Sequence, residues 1–180
     1  EEKDITNEIP FEIPSSWEWT QVKDIFNIKR GASPRPIKNY ISHNDEGINW
    51  IKIGDTNNDN MYITSANEKL LNTSRNKLRL VCKGDLLLTN SMSFGKPYIL
   101  QIDGAIHDGW LQLNPFSNVN IEYFYYLLLS DFTQIQFKKV ASGTAVKNLN
   151  STKVEKIFIP FPPLKEQLKI SIILKRIRDI

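Results

Sequence analysis

Residues 157–167 read IFIPFPPLKEQ, an apolar stretch that runs through three prolines into a helix-forming sequence. Pro160, Pro162 and Pro163 each fix φ near about −65° and remove a backbone N–H donor. The stretch therefore predicts that a strand over 157–159 ends here and that a separate helix begins. Pro163 suits the first position of that helix, because an N–H is not needed there.

The helix predicted after these prolines carries a narrow apolar stripe. The members of the stripe lie three or four residues apart, as they do on a helix that packs against a second helix. This predicted partner seam consists of Ile170, Ile173, Leu174, Ile177 and Ile180. Because the pattern still runs at the last residue, we expect the chain to be a fragment or a mature chain that lacks part of its helical partner.

Composition is typical of one domain with an appendage, since 180 residues with 41% hydrophobic content can bury a single core. The single cysteine, Cys82, lies in LRLVCKGD and cannot form an internal disulfide. We predict that it is buried in a reducing compartment. The sequence contains no apolar run long enough to span a bilayer and no signal peptide, so we expect a cytoplasmic protein.

Charge is distributed unevenly although the net charge is only +3. Residues 1–25 contain seven acidic and two basic side chains, whereas residues 138–180 contain ten basic and three acidic ones. A polyanion would therefore be attracted to one side of the molecule. The bland alternative is that the basic C-terminal helix is simply a solvated face.

The periodicity predicts an α+β fold with a β-rich body, organised as an acidic arm over 1–12, a globular domain over 13–160 and a helix over 161–180. Lys83-Gly84 is predicted to be a hairpin turn. Strands are predicted at 17–20, 26–29, 48–53, 78–82, 85–89, 96–102, 110–113 and 157–159. Helical segments are predicted at 22–25, as one helix over 121–138, and as a short turn capped by Ser151 or Thr152. A cap at 72–74 is predicted to precede a short helical or irregular passage.

Aromatic residues admit two interpretations. The tyrosines at 123, 125 and 126 could stack on nucleic-acid bases, but their helical spacing favours the core. The four tryptophans, at 17, 19, 50 and 110, could line a small-ligand groove, and here too burial in the core is favoured.

Several chemistries lack the residues they need. The two histidines, His43 and His107, are close to no cysteine and form no paired metal-ligand pattern, so we expect no metal site and interpret both as surface or hydrogen-bonding residues. The sequence has neither a phosphate-binding P-loop nor a glycine-rich dinucleotide motif. Asn114-Pro115-Phe116 is similar to the adenine-binding N-P-P-[YF] motif of amino-methyltransferases but lacks its second proline. We therefore expect no catalysis by this chain.

Seven segments follow one another in a recognisable order. They are IPSSWEW (13–19), RGASPRP (30–36), WIKIGD (50–55), KGDLLLTNSMSFGK (83–96), YFYYLLLSD (123–131), SGTAVKNLN (142–150) and IFIPFPPLKEQ (157–167). Together they resemble one target recognition domain of a type I restriction-modification specificity subunit, over residues 13–180. The most specific parts are the PPLKEQ junction and the loop Gly31-Ala32-Ser33-Pro34, which matches Gly-x-[ST]-Pro.

The resemblance implies an arrangement of domains and partners. In that family two recognition domains are separated by helices packed as a coiled coil, and each domain reads one half of a split site in double-stranded DNA. Modification (methyltransferase) subunits methylate the DNA, and a restriction subunit joins through the complex. S-adenosylmethionine, ATP and Mg are then expected only on partner subunits. The spacer helix would pair with a second recognition domain or with a second copy of the chain.

The resemblance also points to three loops as the DNA-reading surface. Arginine and lysine read guanine in the major groove, and asparagine reads adenine. Gly31, Pro34 and Pro36 interrupt the strand before the first loop, so we expect its polar side chains to be exposed. The candidates are Arg30, Ser33, Arg35 and Lys38 in the first loop, Asn90, Ser91, Ser93 and Lys96 in the second, and Thr144, Lys147 and Asn148 in the third. The alternative function is a β-rich protein-interaction module that docks a partner through its C-terminal helix.

Overall fold

A computed structural model describes residues 11–44, 46–57, 60–91, 94–142 and 148–178. The strands are β1 (Glu18–Gln21), β2 (Phe26–Arg30), β3 (Ile48–Ile51), β4 (Tyr62–Ile63), β5 (Glu68–Leu70), β6 (Arg79–Val81), β7 (Leu86–Thr89), β8 (Pro97–Leu100), β9 (Gly104–Ile106), β10 (Trp110–Pro115) and β11 (Phe158–Phe161). The α-helices are α1 (Val22–Ile25), α2 (Ile121–Leu129), α3 (Asp131–Ala141), α4 (Ser151–Glu155) and α5 (Leu164–Arg178). Short 3-10 turns occupy Ile37–Asn39, Ile53–Asp55 and Asn72–Lys77.

Two sheets and a group of helices form the layers of the fold, which confirms the predicted α+β class. The larger sheet has the order β2-β10-β7-β8-β4, and the smaller one has the order β5-β3-β9-β6. Side chains alternate across β10, so Leu111 and Leu113 face the helices while Trp110 packs between the sheets. The third sheet pairs β1 with β11 and brings residues distant in sequence together.

The predicted hairpin at Lys83-Gly84 is wrong. β6 pairs with β9 in the smaller sheet, whereas β7 pairs with β8 and β10 in the larger one. Gly84 does adopt the positive φ of a turn, at 94°. The turn carries the chain from one sheet to the other, and only long-range strand pairing distinguishes that from a hairpin.

The predicted single helix over 121–138 is two helices. Ser130 lies between α2 and α3 with ψ of 147°, and its hydroxyl accepts a hydrogen bond from the Thr133 N–H. A serine that caps a new helix competes with continuation of the old one. After the change of direction Ile135 lies on the surface, with 63% of it exposed.

Two smaller predictions also need correction. Cys82 is exposed, because β6 ends at Val81 and the next residues turn away. The cap of α4 is Asn150, whose side chain accepts a bond from the Lys153 N–H, rather than Ser151 or Thr152. The core interpretation of the aromatic residues is confirmed for Trp50, Trp110, Tyr123 and Tyr125, which are buried.

The proline-rich junction behaves almost as predicted. The strand does not stop at residue 159, because Pro160 lies within β11 and pairs with Trp19 in a two-stranded sheet. A proline is tolerated there because an edge strand has N–H groups that need no ladder partner. α5 begins at Leu164, one residue after the predicted start, and the Pro163 carbonyl accepts bonds from the N–H groups of Glu166 and Gln167 at 2.8 and 3.1 Å.

Two side chains at the start of α5 hold this helix to the body. Gln167 is only 1% exposed. Its amide donates to the Pro162 carbonyl at 2.8 Å and accepts from the Asn120 N–H at 2.9 Å. Glu166 accepts from the indole N–H of Trp17 at 2.6 Å. The residues of the PPLKEQ motif therefore connect α5 both to Trp17, just before β1, and to the start of α2.

Candidate nucleic-acid interface

The turn His107–Gly109, between β9 and β10, is the point at which the first predicted loop is attached. The N–H groups of Gly31 and Ala32 donate to the carbonyls of Trp110 and Ile106 at 2.9 and 3.1 Å. A Cβ atom at Gly31 would lie 1.9 Å from the His107 carbonyl oxygen. The glycine is thus required by a close backbone approach, and it fixes where RGASPRP leaves the sheet.

Asp108 gathers the polar side chains of that loop. Its carboxylate accepts a hydrogen bond from the Ser33 hydroxyl at 2.6 Å. It also lies 3.6 Å from the Arg35 guanidinium and 3.9 Å from that of Arg30. The Arg30 Nε donates to the Asp108 carbonyl oxygen at 2.9 Å.

The electrostatics of this cluster favour an ionised carboxylate. The bond from Ser33 holds the pKa of the Asp108 carboxyl below its usual range, Arg35 adds to that effect, and partial burial opposes it. The side chains of Arg30 and Arg35 nevertheless remain 62% and 77% exposed. Their cationic ends can therefore reach a ligand in solution.

Asn90 ties the second loop to the same turn. Its amide donates to the Asp108 carbonyl at 2.8 Å, and its backbone N–H donates to the Gly109 carbonyl at 2.9 Å. Its own carbonyl accepts from the Leu149 N–H at 2.9 Å, at the end of the third loop. Asn90 is 3% exposed, so this conformation gives its side chain a structural task, and direct contact with DNA stays a prediction.

The other loop candidates occupy different settings. Arg30 ends β2 rather than lying in the loop, and Lys38 is exposed in the 3-10 turn Ile37–Asn39. Ser91 is half-buried beside Asn90. The Lys96 ammonium lies 5.6 Å from the centre of the Tyr98 ring, while its backbone N–H donates to the Thr89 hydroxyl at 2.9 Å.

The third loop is described only at its end. The half-buried Asn148 accepts a bond from the Lys153 ammonium through its carbonyl at 3.2 Å. Three candidates lie outside the described residues, namely Ser93, Thr144 and Lys147. The roles of all these side chains in DNA contact stay predictions.

His107 connects the turn to the WIKIGD segment. The Ile53 N–H points at Nε2 of the ring at 3.2 Å, and the Gly109 N–H points at Nδ1 at 2.6 Å. A neutral imidazole has one acceptor nitrogen and a protonated one has none, so this surrounding favours the neutral ring. Burial lowers the pKa of His107, Lys52 adds to that effect, and Asp108 opposes it. His107 is thus a hydrogen-bonding histidine, as one of the two sequence interpretations stated.

The sequence did not predict the connecting role of His107, Asp108 and Gly109, which we call the hub. Its signal was present as Asp-Gly in IHDGW, a dipeptide typical of turns, between two apolar strands. The dipeptide predicts a turn, but it does not predict that the first two polar loops bond to it. Among the residues that the structure describes, no group of three histidine, cysteine, aspartate or glutamate side chains could hold a metal ion.

The predicted partner seam on α5 is divided between two environments. Ile170 packs against the domain's own core and Leu174 is half-buried. Ile173 and Ile177 are 55% and 63% exposed. Ile180 lies outside the described residues. The inner face of the helix is held by an ion pair between Lys175 and Glu122 at 3.5 Å, so part of the apolar stripe serves the domain itself.

The opposite flank of α5 also carries exposed apolar side chains, Leu168 and Ile172, which the predicted seam did not include. Pairing of the helix in a coiled coil stays a prediction. None of the helices in the described part of the chain is both long and apolar enough to cross a membrane.

Comparison with known proteins decides the family. The family model described as "Type I restriction modification DNA specificity domain" matches residues 14–180. The chain belongs to this family. The match spans the hub, the loops attached to it and the proline-rich junction, so the specificity domain extends from the IPSSWEW segment into α5.

Relatives of the specificity domain agree with this assignment. The type I restriction enzyme MjaIX specificity subunit of Methanocaldococcus jannaschii is 28% identical over 172 residues, which cover 93% of this chain. The chain spans 39% of the length of that curated relative.

Solved structures share the fold. A chain from a structure of complex assembly and conformational transition of the type I R-M system superimposes with a TM-score of 0.77 at 19% identity, covering 94% of this chain and 40% of that one. The HsdS subunit from Thermoanaerobacter tengcongensis gives a TM-score of 0.71 at 18% identity, covering 94% and 39% of the two chains.

Proposed function

We propose that this specificity domain recognises a base sequence in double-stranded DNA and reads one half of a bipartite site. The observation that carries the proposal is the attachment of the first two loops to one turn, beside the exposed guanidinium groups of Arg30 and Arg35. The end of the third loop is bonded to Asn90 of the second. Guanidinium groups are suited both to phosphates and to the O6 and N7 atoms of guanine. A rigid sheet-based support for such loops is what sequence readout requires.

The chain would act without catalysing a reaction. Methylation would be performed by modification subunits and cleavage by a restriction subunit that joins the same complex. S-adenosylmethionine, ATP and Mg would accordingly be bound by those partners. The cytoplasm is the compartment in which such an assembly would meet DNA.

The second half-site would be read by a further recognition domain or by a second copy of this chain. The length comparison supports this proposal, because the chain corresponds to about two fifths of a curated specificity subunit. The exposed Ile173 and Ile177 on α5 supply an apolar surface on which a partner helix could pack.

DNA binding is tested with the chain in its full natural length, assembled with modification subunits. The first step selects bound duplexes from a randomised pool and so defines the target. Arg35→Ala should then weaken target binding about fivefold or more, because a guanidinium bidentate to guanine is worth about 1 to 3 kcal/mol at one base position.

Lys23→Ala is the matched control, because it also removes one exposed positive charge. Lys23 lies in α1, next to the start of β2, whereas the first loop leaves the sheet at the other end of that strand. It should leave target affinity within about twofold of the wild-type value. Equal affinities for the wild type and Arg35→Ala would contradict the proposed loop surface.

The alternative is a protein-interaction module that docks through α5, and the four exposed apolar side chains of this helix favour it. Fluorescence anisotropy with random duplex DNA at low and moderate salt distinguishes the two functions. Binding that weakens with salt supports DNA recognition, since phosphate contacts release counterions. The absence of binding at every salt concentration would favour the interaction module.

A further inference from the structure

The charges around Asp108 point to a role in DNA recognition that is more specific than binding alone. Two guanidinium groups, from Arg30 and Arg35, lie within 4 Å of one carboxylate. The carboxylate cancels one of their two positive charges. In its absence the same surface would present two uncompensated cations to any DNA backbone.

The carboxylate is held more firmly than the arginines. Ser33 donates to it at 2.6 Å, and the Asp108 N–H donates back to the Ser33 oxygen at 3.2 Å. The Asp108 carbonyl is bonded by the buried Asn90. By contrast the two guanidinium groups are mostly exposed and lie 3.6 and 3.9 Å from the carboxylate, and only that of Arg30 has a further bond to the turn, from its Nε to the Asp108 carbonyl. Ion pairs with this exposure contribute little to stability, so DNA can compete for the arginines while the carboxylate stays in place.

The two kinds of DNA acceptor meet this carboxylate differently. A phosphate that approaches Arg30 or Arg35 brings a negative charge towards Asp108, and like charges repel. A guanine edge presents the neutral acceptors O6 and N7 and does not carry that penalty. Discrimination between ligands often depends on such a repulsive element as well as on attractive contacts.

We propose that Asp108 is a specificity-determining residue, an inference that rests on the proposed DNA function. Its carboxylate disfavours sequence-independent contacts of Arg30 and Arg35 with phosphates. Both arginine side chains thereby stay available for base edges. Asp108 acts through the arginines, and its role is therefore one of positioning and charge. The proposed role of Asp108 concerns DNA binding and includes no chemical reaction.

The test is Asp108→Asn in the full-length chain assembled with modification subunits. An amide oxygen can still accept from Ser33, and the backbone bonds to Arg30 and Asn90 do not involve the side chain. The substitution therefore removes the charge while retaining the turn. Asp108→Ser is a second charge-free variant, and Asp108→Glu restores the charge.

We expect non-target affinity to increase about eightfold at about 0.1 M salt for Asp108→Asn, the factor that one additional phosphate contact supplies. The slope of log affinity against log salt should steepen by about one unit. The ratio of target to non-target affinity should decrease accordingly. Asp108→Ser should behave in the same way, whereas Asp108→Glu should keep the wild-type slope.

Asp103→Asn is the matched control, because Asp103-Gly104 is the other Asp-Gly dipeptide of the chain and lies at the opposite end of β9. Its carboxylate accepts from the Lys83 N–H at 2.7 Å. The control should leave salt slope and discrimination unchanged. A purely structural role for Asp108 would lower all affinities without steepening the slope, and that result would overturn the inference.

A double variant separates this inference from the proposed function. Arg35→Ala combined with Asp108→Asn should show a smaller increase in non-target affinity than Asp108→Asn alone. If Arg35→Ala weakens target binding but Asp108→Asn matches the Asp103→Asn control, DNA recognition stands and the role of Asp108 is refuted. If neither arginine nor aspartate variants alter DNA binding, both proposals fail.

Discussion

The junction of β11 with α5 and the turn His107–Gly109 use polar side chains in different ways. At the junction Gln167 is buried and its hydrogen-bond partners lie within the chain. Around the turn the charged ends of Arg30 and Arg35 reach solvent. Gln167 bonds both the chain entering α5 and the start of α2, and is almost fully buried. Arg35 sits beside Asp108 with most of its side chain exposed. Hydrogen bonds and ion pairs of polar side chains thus stabilise the fold at the junction, while at the turn they leave the arginine side chains accessible to a ligand.

The largest effect on stability is expected at the junction. Gln167→Ala would leave the Asn120 N–H and the Pro162 carbonyl without partners, and each unsatisfied buried group costs about 1 to 3 kcal/mol. We expect the free energy of unfolding to decrease by about 3 kcal/mol, measured by urea denaturation. Lys169→Ala, on the exposed side of the same helix, is the control and should change stability by less than about 0.5 kcal/mol.

A smaller but more local effect is expected at the hub. Gly31→Ala places a Cβ 1.9 Å from the His107 carbonyl, so the backbone of the loop or of the turn must move. Forced overpacking of this kind costs about 1 to 3 kcal/mol. Hydrogen exchange should show lost protection at the N–H groups of Gly31 and Ala32, while the N–H of Gln167 keeps its protection.

Gly54→Ala is the control for the glycine substitution, since a Cβ there meets no atom within 4 Å. It should preserve the exchange pattern at Gly31. Equal loss of protection at the junction and the hub in Gly31→Ala would show that the two regions unfold as one unit, and the comparison between them would then lose its meaning.

Acid should weaken the hub before the junction. The pKa of His107 is lowered in the fold, so its contribution is fully present above the unfolded value of about 6.5 and is lost as pH falls through the lower folded value. Asp108 has a lowered pKa too, and its contribution is lost only at still lower pH, below the ordinary carboxyl range. One proton changes stability by at most about 1.4 kcal/mol per pH unit.

The measurement compares urea denaturation at pH 7 and at pH 5 for the wild type, His107→Gln and His43→Gln. His107→Gln should reduce the loss of stability on acidification, and His43→Gln, at an exposed position, is the control substitution. An unchanged pH dependence in His107→Gln would mean that the imidazole is not held neutral by its surroundings.

The smallest effect is expected on the outer flank of α5. Ile177→Ser removes an apolar side chain that is 63% exposed, and surface substitutions usually change stability by less than about 0.5 kcal/mol. Ile170→Ser, which alters the packed side of the helix, should cost more. Sedimentation at several concentrations accompanies the denaturation, and a concentration-dependent loss of stability in Ile177→Ser would reveal a partner helix on this face.

Local patterns in the chain predicted many elements correctly. The strand pattern at 17–20 and the prolines at 160–163 predicted the bounds of β1 and β11 and the start of α5 to within two residues. The body strands that contain Trp50, Leu87 and Trp110 were predicted as well. These signals depend on near neighbours, because side-chain period and backbone restriction act over a few residues.

Predictions failed where a distant part of the chain makes the decision. Lys83-Gly84 looks like a hairpin turn until β6 pairs with β9. Ser130 divides a continuous helical pattern because its cap and the packing of α3 outweigh local propensity. Asn90 reads as an exposed loop residue, yet its hydrogen bonds bury it between two other loops.

Order of residues was therefore enough to recognise the family and the α+β class, since each depends on short motifs and local spacing. Only the folded arrangement revealed that Asp108 connects the first two polar loops, that Gln167 anchors α5 and that the apolar stripe of α5 is shared between core and surface. The physical reason is that hydrogen bonds and charge pairs between residues 30, 90, 108 and 149 arise from sheet pairing across long separations, which no local pattern encodes.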